Sequence, residues 1–91
     1  MKTFVKDPQA TLDYGFNWGP WLGTDTISSS VWTINQSGLS IVIASETFDN
    51  TTTLLYLTSG AENEKYIVTN TISTAASRTD ERRFEIVIKQ R

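Results

Sequence analysis

Apolar side chains in this chain recur at every second position, and no stretch carries them convincingly at helical spacing. Phe84-Glu85-Ile86-Val87-Ile88-Lys89 sets Phe84, Ile86 and Ile88 on one face and Glu85, Val87 and Lys89 on the other. Successive side chains of a strand point to opposite faces, so this alternation builds a half-buried β-strand. Tyr66-Ile67-Val68-Thr69-Asn70-Thr71-Ile72 repeats it with Tyr66, Val68 and Ile72 inward; Leu39, Ile41 and Ile43 form a third row, and Leu55 with Leu57 a fourth. Thr and Ser supply roughly a quarter of the residues, and β-branched side chains favour a pleated surface.

Turn signals separate these segments. Asn17-Trp18-Gly19-Pro20 and Gly23-Thr24-Asp25 break the chain early, and Asn35-Gln36-Ser37-Gly38 divides the second strand from the third. Asp49-Asn50 and Ser59-Gly60-Ala61-Glu62-Asn63 follow, and residues 75–79 form the last hairpin loop. The expected strands are 10–17, 26–34, 39–44, 51–58, 64–74 and 80–90, with a short Phe4-Val5 strand as a seventh. Six or seven short strands with no helix between them point to two antiparallel sheets with Greek-key connections, an immunoglobulin-like β-sandwich. A partly open barrel is the rival. Tyr66 opens the penultimate strand just after a loop, where it is either a tyrosine corner bonding back to the preceding connection or a half-buried strand residue.

The chain has 91 residues, which fits a single domain over 1–91, with 1–10 as a candidate extended N-terminal arm. That arm suits strand addition to a neighbouring subunit, or folds back on its own domain; Pro8 interrupts any ladder there. Ten acidic residues outnumber eight Lys and Arg, which argues against direct nucleic-acid binding. The N-terminus shows no signal-peptide pattern, and no window approaches the length of a membrane span. The sequons at Asn35 and Asn50 are therefore read as chance. Cysteine is absent, which suits folding in the cytosol or inside an assembly.

Catalytic chemistry finds little material. Without His or Cys, the common general base, the zinc constellations and the thiol nucleophile are all excluded. No nucleophile elbow or glycine-rich phosphate loop occurs. Asp13 and Asp25 as paired carboxylates, or Asp7, Asp25 and Asp49 as calcium ligands, are weaker readings than solvated loop acids. The expectation is a protein that is not an enzyme, with no cofactor and no metal.

Surface recognition is the better prospect. Trp32 alternates with Ile34 and reads as the central core aromatic. Trp18 and Trp21 bracket Gly19-Pro20, where they either close the core or stand exposed for a protein or sugar. With Tyr56 they would form the stacking platform of a carbohydrate-binding or decoration module. Arg78-Thr79-Asp80-Glu81-Arg82-Arg83 is the densest charge cluster, either a self-paired solvated hairpin or an electrostatic docking surface. The candidate contact residues are Phe4, Leu12, Tyr14, Trp18, Trp21, Arg78, Asp80, Arg82 and Arg83.

Two stretches carry a resemblance. Lys6-Asp7-Pro8-Gln9-Ala10-Thr11-Leu12-Asp13-Tyr14 runs into Trp18, Trp21-Leu22, Asp25-Thr26-Ile27 and Trp32. Later come Tyr66-Ile67-Val68-Thr69-Asn70-Thr71-Ile72 and Arg78-Thr79-Asp80-Glu81-Arg82-Arg83-Phe84. Together, from Lys6 to Arg91, these resemble a family of small structural proteins of tailed bacteriophages, the fiber-tail adaptor or neck/tail proteins. The resemblance implies an Ig-like module in a virion, assembled in the host cytoplasm. It also implies other phage structural proteins as partners, homo-oligomeric packing and no catalytic residues. Relatives often carry glycine just before the Arg-Thr-Asp-Glu run; this chain has Ser77, which leaves that turn open.

Overall fold

The computed structural model describes residues 2–35 and 41–90. Seven strands and one helical turn follow the chain as β1 (Lys2–Lys6), β2 (Leu12–Asn17), α1 (Gly19–Leu22), β3 (Ile27–Asn35), β4 (Ile41–Phe48), β5 (Thr52–Ser59), β6 (Lys65–Thr74) and β7 (Thr79–Ile88). They form a four-stranded sheet in the order β1-β7-β6-β3 and a three-stranded sheet in the order β2-β5-β4. The expected two-sheet sandwich is therefore present, with seven strands. Leu39 and the turn at Asn35-Gln36-Ser37-Gly38 fall mostly outside the described residues.

Alternation places the core. Tyr66, Val68, Phe84, Ile86 and Ile88 face inward from the four-stranded sheet, and Leu55 and Leu57 face them from the other; all are buried with Trp32 and Ile41. Trp32 stacks on Phe16, ring centroids 5.9 Å apart, and meets Phe84 edge-on at 6.2 Å. It is the core aromatic that its alternation with Ile34 indicates. A second cluster of Trp18, Leu22, Ile27 and Ile72 closes one end of the sandwich, joined to the first through Phe16.

Three points refine these expectations. First, of the two readings of the N-terminal segment the one that folds back on its own domain is seen, and the strand expected at Phe4-Val5 extends over Lys2–Lys6 beside Phe84–Ile88. That pair is parallel, whereas the other four strand pairings are antiparallel. Phe4 and the fully buried Lys6 both turn inward, so the alternation is that of a covered strand. Secondly, β4 runs on to Phe48 rather than stopping at residue 44. Its register shifts between Ile43 and Ser45, and every residue from 44 to 48 is exposed. With neither face buried, no apolar alternation marks that half of the strand. Thirdly, the breaker at Asn17-Trp18-Gly19-Pro20 starts a helical turn, because proline fits the first turn of a helix.

Tyr66 resolves its two readings. Its ring is fully buried, and its hydroxyl donates to the Glu64 carboxylate in the preceding connection. It bonds back to the loop as a corner tyrosine would, but through a side chain.

Candidate docking surface

Trp18 decides the architecture of the end that carries α1. Its indole is fully buried, and its Nε1–H donates to Asn70 Oδ1 at 3.1 Å and to Thr53 Oγ1 at 3.3 Å. Thr53 Oγ1 donates to the same Asn70 oxygen at 2.7 Å. The Asn70 amide donates to Ser30 Oγ at 2.9 Å and to the Val31 carbonyl at 3.3 Å. Buried polar atoms need such partners, and the network ties the start of α1 to β3, β5 and β6. Trp18 is thus a core closure and not an exposed contact.

The surface above it is built from arginines. Arg78 donates from Nε to Asp25 Oδ2 at 3.1 Å and from a terminal nitrogen to the Leu22 carbonyl at 2.9 Å. Its guanidinium lies 4.3 Å over the Trp21 ring, so Trp21 is half-buried beneath it. Asp25 Oδ1 also accepts the Thr26 and Ala76 amides at 2.8 and 3.1 Å. These donors, led by the Thr74 hydroxyl, hold the Asp25 carboxyl down to about 2, against the opposing pull of burial. The β6–β7 turn is thereby fastened to α1. Ser77 sits in that turn at φ 66°, the left-handed region glycine favours, which answers the question its identity raised.

Arg82 is held differently. Its guanidinium stacks 4.1 Å over Trp18 and donates to the Asn17 carbonyl at 3.3 Å, with no carboxylate beside it among the described residues. Arg83 pairs with Glu81 at 2.8 Å on the exposed surface, an ion pair contributing about 0–1 kcal/mol. Asp80 is exposed, and its Oδ1 accepts the Glu81 amide at 2.8 Å. Since β1 pairs with β7 only from Phe84 onward, the outer edge of residues 79–83 pairs with no strand among the described residues. Trp21, Arg78, Asp80, Arg82 and Arg83 therefore share one end of the molecule, beside an open strand edge.

Phe4, Leu12 and Tyr14 do not join them. Phe4 packs on Tyr14 at 5.2 Å and on Phe84 at 5.4 Å, and Tyr14 stacks on Phe84 at 5.3 Å. They are half-buried parts of the core between β1 and β2, and Leu12 is half-buried on the same inward face of β2 as Tyr14. Neither do the aromatics form a stacking platform: Trp18 is sealed, Arg78 caps Trp21, and Tyr56 stands on the outer face of the three-stranded sheet opposite Asp13. Asp13 and Asp25 are consequently not a carboxylate pair. Asp7 accepts the Gln9 amide, and Asp49 accepts those of Thr51 and Thr52, which lower its pKa.

Sequence reasoning missed two residues here. Asn70 lies between Val68 and Ile72 on the inward row, where parity places it but its chemistry gives no hint. Lys6 Nζ donates to the Ser59 carbonyl at 2.7 Å and the Asp7 carbonyl at 2.9 Å, tying β1 to the end of β5. Burial lowers the Lys6 pKa, with Asp7 acting in the opposite direction.

Comparison with known proteins adds two findings. The family model described as "Podophage GP4 fiber-tail adaptor protein gp77" matches residues 6–87. The solution structure of the PKD domain from KIAA 1837 protein superposes with a TM-score of 0.54 at 13% identity, covering 98% of this chain and 79% of that one. At that identity it speaks to the fold alone, which is Ig-like. No curated protein sequence matches the chain.

Proposed function

The chain belongs to the podophage GP4 fiber-tail adaptor protein family, and from that premise we propose that it is a non-catalytic virion module joining larger parts where fibers attach at the neck or tail. The observation that supports this most is the end carrying α1. There Trp21, Arg78, Arg82 and an open strand edge lie together, with Arg78 held over Trp21 and against Asp25 and Arg82 held over the buried Trp18. Fixed side chains bind with less entropy lost on docking, and Arg and Trp are enriched where interfaces carry most of their energy. Trp21, Arg78, Asp80, Arg82 and Arg83 are the contact residues of this reading, and other phage structural proteins its partners. Packing of several copies belongs to it as well, since ring symmetry lets one small surface act repeatedly.

Mass spectrometry of purified particles, separated into heads, tails and complete virions, tests the reading. A fixed copy number in tails or virions is expected, and Arg83→Glu with Arg82→Glu should lower it several-fold. Reproducible absence from every fraction, with the protein made in the infected cell, would refute a virion role.

A further inference from the structure

Charge is segregated along this chain. All eight Lys and Arg lie in residues 1–6 and 65–91, while residues 7–64 carry seven of the ten acidic residues. The three-stranded sheet accordingly bears Asp13 and Glu46 and no cation. Glu46 lies in the stretch 44–48 of β4, exposed at every position and, among the described residues, paired only with β5. No hydrogen bond or ion pair reaches the Glu46 carboxylate among the described residues. Phe48, at the end of the same stretch, is 45% exposed.

We propose that residues 44–48 of β4 take up an extended, basic segment of another virion protein by strand addition, a second docking site that rests on the adaptor reading. An edge strand offers a row of backbone donors and acceptors, and an added strand supplies their partners. The register shift between Ile43 and Ser45 and the charge of Glu46 blunt this edge against indiscriminate pairing. An incoming strand with Lys or Arg opposite Glu46 gains a favourable cross-strand pair, and an apolar neighbour covers Phe48. Antiparallel pairing of two copies with these five residues in full overlap sets Glu46 against Glu46, where like charges repel. The occupant is therefore a different, basic chain. This edge and the open edge of β7 lie on opposite flanks of the sandwich, because β4 stands under the β3 side and β7 next to β1. An adaptor needs two such faces.

Hydrogen exchange read by mass spectrometry, on the pure chain and on purified particles, tests this. Amides of residues 44–48 should exchange at least tenfold more slowly in particles than in the free chain. Glu46→Lys should lower incorporation at least tenfold with an unchanged melting temperature, and Glu46→Asp should restore most of it. A chain present in particles with 44–48 still exchanging freely overturns the inference and leaves the adaptor reading intact. Slowing that appears on merely concentrating the pure chain overturns it in favour of self-pairing. Absence of the chain from particles removes both.

Discussion

Asn70 accepts two hydrogen bonds and donates two from a buried row that also holds Tyr66, Val68, Ile72 and Thr74. Removing a buried partner costs the desolvation of every group left unpaired, here the Thr53 hydroxyl, while the Trp18 N–H keeps only its 3.3 Å bond to Thr53. Asn70→Ala should therefore lose about 2–4 kcal/mol in urea unfolding, cavity included. Pairing it with Trp18→Phe should cost clearly less than the sum of the two single changes, because the two residues share one hydrogen bond that either change alone removes. Ser77 carries a smaller strain at φ 66°. Left-handed backbone costs a non-glycine residue roughly 1–2 kcal/mol, and glycine returns part of that in unfolded-state entropy. Ser77→Gly should raise stability by about 0.5–1 kcal/mol, and an unchanged or lower midpoint would show the turn to be relaxed with serine. At this scale parity was readable and partners were not. Trp32 and Tyr66 were placed from alternation alone, whereas Trp18, in a turn, carries no periodic signal to say that its indole is sealed. Lys6 looks like the polar residue of an arm, and only the tertiary arrangement brings two carbonyls to its ammonium.

Elements with one buried face announced themselves, and those without did not. β6 and the second half of β7 alternate cleanly and were found close to their true limits; β4 beyond residue 44 has no covered face and was missed. The tie between α1 and the β6–β7 turn was half visible, since the charge cluster around Arg78 stood out but its partner Asp25 lies 53 residues away. That tie gives a pH prediction with a definite sign. The Asp25 carboxyl is held at about 2 in the folded chain against an ordinary 3.8, so its contribution to stability is complete above the ordinary value. It is lost as pH falls from there through about 2. Wild type should melt higher than Asp25→Asn at pH 5, and the gap should close progressively between pH 4 and 2. A gap that stays constant with pH would assign the effect to the shape of the side chain and not to its charge.

The whole molecule is a sandwich whose strands are easily counted in the sequence and whose strand order is not. β1 pairs with β7 at the far end of the chain, with Thr3 and Glu85 in hydrogen-bond contact across 82 positions. No local pattern specifies that register, and the parallel direction follows from tertiary packing. Closing so long a loop defers its contacts, and sheets of this kind fold slowly because most of their pairings are non-local. β1 is also the edge of its sheet, with two exposed residues at its start and Val5 open to solvent. Stability is accordingly uneven: β6, flanked on both sides and buried at every second residue, should open only with the whole domain. β1 should open by itself, held chiefly by Phe4 against Phe84 and by the Lys6 ammonium on the Ser59 carbonyl. Replacing Lys6 by Met keeps the length of the side chain and removes the donor. Charge-assisted hydrogen bonds contribute about 1.5–3 kcal/mol, so Lys6→Met should speed amide exchange in β1 at least tenfold while exchange in the middle of β6 changes much less. Equal acceleration in both strands would mean that β1 belongs to the cooperative core, and that the lysine holds the whole sandwich closed rather than one edge of it.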